Sequence, residues 1–354
     1  MATKPTIIIT FKQLATTLIK RSERGTAILL LSDTNASAIT TRIYKSVADI
    51  DESLYTEENL DRIKRCLSYT PYEVVVISKN STKFSDFAKA IITIRKTGWI
   101  AFGGADEPQA DLMSWVKSMD KQGYTYKAVG TTSGADNKQY VYFNQKVTDN
   151  DGNELSAVDY LPSLLGILAG CNISRGCTNF HCVDLAEATE VEDVDVAVGS
   201  GQFVLANEVD GVRVVSGINS LVTLNGNTST EDMQYIETVE AMNLIKDDIR
   251  NEFKNTYQGS FKNKYKYQML FIGAVNEYLR NLANEDVLDD EFDNKAEIDV
   301  ETQRSAWMGT GKAEAEEWSD DKVRSMAFKR SVFIACNIKI LNCMENLKFT
   351  VTME

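Results

Sequence analysis

The sequence predicts a chain of α/β and α+β class: two domains, a mostly parallel α/β N-terminal unit followed by an α+β C-terminal domain, with extended N- and C-terminal β-arms that pair between subunits. Three observations carry this. Short apolar β-branched runs alternate with amphipathic helical periods up to about residue 145, as in a parallel sheet covered on both faces. From about Val191 the order changes to short strands and then two long helices. Both ends carry the apolar, β-branched pattern of strands that need a sheet to join: Pro5–Phe11 (PTIIITF), without a neighbouring hairpin partner, and two more strands across Phe333–Met353 with a turn at Asn342–Asn346. Chain ends fray unless something ties them down, so these ends read as strands lent to other subunits.

The elements follow in order. A basic connector, Gln13–Arg24, leads to a buried strand at Thr26–Ser32 (TAILLLS). A helix over Glu57–Ser68 places Leu60, Ile63 and Leu67 on one face. Then come a strand at Glu73–Ser78, a helix over Phe84–Thr97, a strand at Trp99–Phe102 and a helix over Gln109–Gln122, followed by strands at Tyr126–Gly130 and Gln139–Phe143. Asn150-Asp151-Gly152-Asn153 is a hairpin or tight-turn signal inside Val147–Leu155. The helix Asp159–Ala169 has Ser156 before it as a cap and Gly170 as its stop. Short strands are expected at Gln202–Ala206, Val212–Ser216 and Leu221–Leu224. Thr228-Ser229-Thr230-Glu231 reads as a capping box opening a helix to about Tyr257, with Ile245, Ile249, Phe253 and Tyr257 as its core stripe. A second helix, about Tyr267–Asn284, carries Leu270, Ala274, Tyr278 and Leu282. Glu285–Asp321 has weak periodicity and reads as a variable, surface-exposed acidic excursion. Ile334, Cys336, Ile338 and Ile340, then Leu347, Phe349, Val351 and Met353, alternate as two half-buried strands do. The expected domain limits are 1–22 (arm and connector), 23–190, 191–332 and 333–354.

Composition narrows the function. With 354 residues, 43% hydrophobic and 25% charged, the chain has the composition of an ordinary soluble globular protein. A net charge of −13 argues against binding nucleic acid or an anionic membrane. The charge is uneven. Lys4, Lys12, Lys20, Arg21 and Arg24 face one acid, Glu23, near the start, whereas residues 285–301 hold nine acids and one base, Lys295. No apolar run is long enough to cross a membrane and no secretory leader pattern opens the chain, so the expectation is a protein made and kept in the cytosol until assembly or lysis.

A search for catalytic chemistry finds little. The chain has one histidine, His181, flanked by Phe180 and Cys182 in an apolar run that reads as structural. Cys66, Cys171, Cys177, Cys182, Cys336 and Cys343 contain no Cys-x-x-Cys pair and read as small buried hydrophobes rather than zinc ligands. Gly309-Thr310-Gly311-Lys312 resembles a phosphate loop, but Ala306 and Ala313 stand where that motif needs Gly and Ser or Thr. Asp149-Asn150-Asp151-Gly152 has its glycine two places too early for a calcium loop and reads as a turn. No catalytic residue, cofactor or metal is therefore assigned.

Four segments in order carry a family resemblance: Pro5–Leu31, Ser156–Gly170 (SAVDYLPSLLGILAG), Ala206–Thr223 (ANEVDGVRVVSGINSLVT) and Phe333–Met353 (FIACNIKILNCMENLKFTVTM). Together they resemble the contractile tail sheath family of myovirus phages and R-type phage-tail-like bacteriocins, in the compact form of Gram-positive systems. The resemblance implies a two-domain tail-sheath fold and a structural subunit, not an enzyme. Such subunits polymerise helically around an inner tail tube and contract to drive it through a bacterial envelope without nucleotide hydrolysis. It implies inter-subunit strands at Thr6, Ile7, Ile8, Ile9, Thr10 and Phe11, and at Leu347, Lys348, Phe349, Thr350, Val351, Thr352 and Met353. It also implies a tube-facing surface in the C-terminal domain, for which Lys254, Lys262, Lys264 and Lys266 are the candidates. The implied partners are further copies of the chain, the inner tail tube protein, and baseplate and tail terminator proteins. Nucleic acid and membrane insertion are not implied. The location implied is a virion tail or tail-like particle, assembled in the host cytoplasm and released on lysis. Two other readings stand beside it: a nucleotide-dependent α/β enzyme, and a static capsid or tube protein.

Overall fold

The computed structural model describes residues 19–35, 37–171, 173 and 175–353. By their contacts the described residues form two compact units: Ser22–Asp247 together with residues 340–353, and Asp248–Lys339 together with residues 19–21. The reading from sequence drew its line at residue 190. In the structure residues 191–247 pack with the N-terminal sheet.

The first unit is built on a six-stranded sheet. Its elements are β1 (Thr26–Ser32), β2 (Thr41–Tyr44), α1 (Glu57–Ser68), β3 (Glu73–Lys79), α2 (Phe84–Thr93), β4 (Trp99–Phe102), α3 (Gln109–Lys121), β5 (Lys127–Gly130) and β6 (Tyr140–Tyr142). The strand order is β2-β3-β1-β4-β5-β6, parallel except for β2, which runs antiparallel to β3. Strand alternation divides the core. Ala27, Leu29 and Leu31 join one buried cluster with residues of α1 and of the later helix α4 (Ala157–Gly170), and Ile28 and Leu30 join another with Phe87, Ile91, Leu112 and Val116 of α2 and α3. Burial on both faces explains the uninterrupted apolar run TAILLLS.

The helix α4 is buried almost throughout and has Pro162 inside it. Proline removes the donor for the carbonyl four residues back. That carbonyl, on Val158, accepts the N–H of Gly104 instead, at 3.2 Å. Close approach continues at Gly166, where a Cβ would stand 2.3 Å from the carbonyl oxygen of Cys66 on α1. The hairpin predicted at residues 147–155 forms as β7 (Val147–Asp149) and β8 (Glu154–Leu155), with β9 (Leu185–Ala188) antiparallel on the other side of β7. A short helix α5 (Val194–Gly199) precedes the hairpin β10 (Leu205–Glu208) and β11 (Gly211–Val214). Leu221–Leu224 is not a strand. The N–H of Leu221 goes to the Asn219 side chain, and those of Val222 and Thr223 to the Asp136 carboxylate, which leaves no strand-type ladder to form.

Thr230 stands at the N-cap of a 3-10 turn, Glu231–Gln234, without a side-chain capping hydrogen bond, so the capping box expected at Thr228–Glu231 does not open the helix. The long helix α6 begins only at Ile236, running to Glu252 and continuing as a π-helical turn, Phe253–Tyr257. One face of α6, at i, i+3 and i+7, is polar and buried. Glu240 accepts from Trp99 Nε1 at 2.7 Å and from Lys127, Asn243 exchanges two 2.9 Å bonds with Gln139, and Asp247 accepts from Thr125 at 2.6 Å and Arg24 at 3.2 Å. Burial pushes the Lys127 pKa down, and the Glu240 carboxylate opposes the shift in part.

In the second unit α7 (Tyr265–Asn284) buries Phe271, Ala274, Val275, Tyr278 and Leu282 on one stripe. Glu285–Asp321 is not an excursion. It contains β12 (Lys295–Ile298), α8 (Val300–Met308) and a 3-10 turn (Ala313–Glu317), followed by α9 (Asp320–Ser325), around a core of Ala315, Trp318 and Val323. Lys312 lies over the Trp307 and Trp318 rings at 5.0 and 5.8 Å, so the lysine of the phosphate-loop look-alike is engaged in cation–π contacts. The last strand, β13 (Ile334–Asn337), pairs antiparallel with β12. The second strand expected at Leu347–Met353 lies outside any helix or strand among the described residues.

Acid stability follows from the turn carboxylates. Burial would raise the pKa of Asp33, but hydrogen bonds from Asn59, Asn35 and Thr56 outweigh it and hold the group below its ordinary value. At Asp149 burial likewise opposes, and Asn153, Arg65 and Asp151 win. Asp136 is lowered by the Thr223 and Val222 donors. Groups depressed in the folded state contribute stability above their unfolded pKa and lose it as pH falls through the folded one. The thermal midpoint should therefore hold from neutrality to about pH 5 and fall steeply below about pH 4. A midpoint that stayed level to about pH 2.5 would contradict this.

Candidate assembly surfaces

The parallel sheet reverses strand order between β1 and β4, and the crevice outside the carboxyl ends of those strands is where open α/β sheets hold ligands. In this chain the crevice is filled by its own side chains. Asp33, 2% exposed, accepts from Asn59 Nδ2 at 2.8 Å, and Arg62 donates to Asn59 at 2.9 Å and to Asp159 at 3.2 Å. Arg62 also covers the Gly103-Gly104 turn after β4. A Cβ on Gly104, whose φ is +71°, would stand 2.3 Å from the guanidinium. These glycines admit Arg62 and Pro162, not a phosphate. His181 bridges to Arg213 and covers the turn at Gly211, a packing role. Cys66, Cys177 and Cys182 are buried, and burial pushes their thiols up, that of Cys182 to about 12. Cys171 is half-buried, and Cys336 and Cys343 are exposed, against the expectation of burial for all six.

The geometry that offers something to a partner lies at the strand edges. The pairs of β12 and β13 are Lys295 with Asn337, Ala296 with Cys336, Glu297 with Ala335 and Ile298 with Ile334. The N–H and C=O of Ala296 are both bonded to the Asn276 side chain of α7, at 2.7 and 3.1 Å. Ala296 and Cys336 are therefore a non-hydrogen-bonded pair, and by alternation so are Ile298 and Ile334. The N–H and C=O groups of Ile334 and Cys336 consequently point away from β12, and that edge has no strand partner among the described residues. Asn276 covers one edge of the two-stranded sheet, and the other is open among the described residues.

The C-terminal segment beyond this strand is pinned at its root. Glu237 accepts the Cys343 N–H at 2.9 Å, Thr178 donates to Glu345 at 2.5 Å, and Thr238 donates to Asn342 at 3.0 Å. Past Glu345 these anchors stop. Leu347 is 89% exposed, Phe349 79%, Val351 67% and Met353 90%, with Lys348, Thr350 and Thr352 also exposed. Four large apolar side chains at alternate positions thus stand in water. The other predicted arm, Thr6–Phe11, lies outside the described residues. Its connector is held at Ile19, which is buried, and by an Arg21–Glu285 ion pair at 2.9 Å.

Lys254 lies in the π-helical turn, Lys262 and Lys264 in the link that follows it and Lys266 at the start of α7, all exposed. Asn263 draws a second basic pair to them by donating to the carbonyls of Lys329 and Ser331 at 3.4 and 2.9 Å, which places Lys329 and Arg330 at the same elbow. None of these six cations makes an ion pair among the described residues. The sequence reading missed Lys329 and Arg330, which lie more than sixty positions away, and no local pattern marks them.

Residues 228–354 match the family described as the phage tail sheath C-terminal domain. The chain is 27% identical, over the full length of both, to the tail sheath protein of Clostridium phage phiCD119. Among solved structures it resembles the helical sheath of the anti-feeding prophage in its contracted state (TM-score 0.71, 12% identity, all of both chains). It also resembles the sheath tail protein of Desulfitobacterium hafniense (TM-score 0.69, 12% identity, 83% of this chain and 94% of that one).

Proposed function

From a chain similar to tail sheath proteins over its whole length, with the tail sheath fold, we infer the structural subunit of a contractile tail sheath. Two observations carry the physical reading: an edge of β13 with no strand partner among the described residues, and an exposed apolar stripe at Leu347–Met353. A two-stranded sheet alone is marginal in water, and an open edge is a template for another chain. In this reading the edge at Ile334 and Cys336 receives an arm from a neighbouring subunit, and this subunit's Leu347–Met353 and Thr6–Phe11 are lent in return. Such a joint makes about four backbone hydrogen bonds at roughly 0.5–1.5 kcal/mol each and buries apolar side chains worth roughly 1.5–3 kcal/mol apiece.

Strands joined in this way stay joined while the compact units around them rotate. The extended sheath is then a metastable lattice around an inner tail tube, held by tube and baseplate contacts and closed by a terminator. A baseplate change releases it, and the sheath shortens. The drive is stored at assembly, so no nucleotide is consumed, in keeping with the crevice filled by Arg62. The basic elbow at Lys254, Lys262, Lys264 and Lys266 faces the tube, and charge complementarity sets the register. Assembly takes place in the host cytoplasm and release follows lysis. Electron microscopy of native particles tests this: two sheath lengths, long and short, are expected, and a single invariant length would favour the static tube protein.

A further inference from the structure

At the basic elbow lies a small cavity of about 180 Å³ whose walls include Phe253, Tyr257, Phe261, Tyr267 and Phe271. The rings brace one another: Tyr257 stands 4.8 Å from Phe271 and 5.2 Å from Phe261, and Phe261 stands 5.1 Å from Tyr267. Lys262 and Arg330 stand at the same cavity, one from each of the chain segments that Asn263 ties together. Large apolar side chains are rarely left in water in this unit. Among the described residues of Asp248–Lys339 four are, and one of them, Phe261 at 39%, lines this cavity, while Tyr265 and Met269, each at 41%, lie on the first turns of α7, the helix that supplies Tyr267 and Phe271 to its wall. The wall also includes the π-helical turn Phe253–Tyr257, a distortion of the kind that recurs at functional sites.

We propose that this cavity is the anchor point of the tube contact, taking one leucine- or phenylalanine-sized side chain from a segment of the inner tube protein in which carboxylates flank that residue. The inference rests on the tube-facing reading above and adds to it the chemistry of the partner. Size excludes a cofactor-scale ligand, since such pockets run about 300–1,000 Å³. Charge selects the flanks: Lys262 and Arg330 line the cavity, Lys254, Lys264, Lys266 and Lys329 are each next in sequence to a lining residue, and none of the six has an ion-pair partner among the described residues, so on a chain of net charge −13 an acidic segment is drawn to this place and repelled by most of the remaining surface. The division of labour is the usual one, with charges governing encounter and register and a desolvated apolar anchor governing retention.

The test is co-sedimentation of purified subunits with inner tubes isolated from the same particle, across a salt series. Phe261→Ala should weaken retention about tenfold while leaving the salt dependence as in the wild type, and Phe261→Leu should restore it. The pair Lys262→Glu with Arg330→Glu should weaken binding and flatten its salt dependence. If Phe261→Ala binds tubes as the wild type does while the charge reversals abolish binding, the anchor is wrong and the tube-facing elbow stands. If neither substitution changes binding, both readings fall. Phe261 is exposed enough for its removal to leave the fold intact, and unchanged thermal midpoints would establish that each variant reports on binding.

Discussion

Glu240→Ala should destabilise the subunit by about 3–5 kcal/mol, the range observed when one partner of a buried ion pair is removed. The loss is large because three groups depend on this carboxylate. The Lys127 ammonium, 4% exposed, loses its counter-ion, the Trp99 indole N–H loses its acceptor, and the polar face of α6 loses its first contact with the sheet. Asn243 and Asp247 continue that face against Gln139, Thr125 and Arg24, so the rest of the seam holds and the fold survives in weakened form. The pH dependence separates this from simple loss of packing. Burial already lowers the Lys127 pKa, and removing Glu240 lowers it further. Between the folded and unfolded values the unfolded chain binds more protons, so stability rises with pH there. The variant should therefore recover part of its deficit as the solution approaches the ordinary lysine pKa of about 10.4. A double replacement, Lys127→Met with Glu240→Leu, should come close to wild-type stability, less the unbonded indole. Denaturant unfolding of the three variants settles the matter. A cost below about 1 kcal/mol for Glu240→Ala would mean that water or another group already compensates Lys127.

This seam also marks where sequence reasoning stops. The α/β unit was legible because its signals are local. Five apolar residues in a row, Ala27–Leu31 within Thr26–Ser32, and Leu60, Ile63 and Leu67 at helical spacing, report burial without reference to anything distant. The observed limits of α1 and β4 match the predicted ones. The helix predicted to Thr97 ends at Thr93, and Arg95 takes a φ of +54°, outside helical space. The core stripe read for this helix, Ile245, Ile249, Phe253 and Tyr257, leaves out Glu240, Asn243 and Asp247, whose partners lie more than a hundred residues away. Residues 285–321 read as an acidic excursion for a related reason. Their order comes from short turns, carbonyls gathered by Arg304 and cations over Trp307 and Trp318, none of which leaves a period in the sequence. Of the candidate assembly surfaces, the alternation of Leu347, Phe349, Val351 and Met353 was legible, and the outward edge of β13 was not. That edge depends on a register in which Asn276 occupies Ala296, a contact that no composition or periodicity encodes.

Cys336→Pro should leave a folded subunit that no longer grows sheaths. The register decides this. Cys336 lies opposite Ala296, whose own N–H and C=O are turned to Asn276, so the Cys336 N–H is not donated to β12 and its loss does not break the ladder. A proline ring suits an edge strand whose N–H faces outward, and its preceding residue, Ala335, already has strand geometry. The cost to the isolated subunit should accordingly stay below about 1 kcal/mol. On the open side the substitution deletes a donor and puts a ring where an incoming strand must approach within about 4.8 Å. Losing one hydrogen bond and part of the apolar contact at every joint amounts to about 1.5–3 kcal/mol per subunit, which raises the concentration needed for assembly at least about tenfold. Ala335→Pro provides the contrast. Ala335 is in a hydrogen-bonded pair with Glu297, so this proline breaks the ladder itself and should lower the thermal midpoint as well as assembly. Sedimentation and electron microscopy of the two variants distinguish edge from ladder. If Cys336→Pro polymerises into sheaths of normal length at the wild-type concentration, the outer edge of β13 is not where neighbouring arms join, and the coupling between subunits must run through another surface.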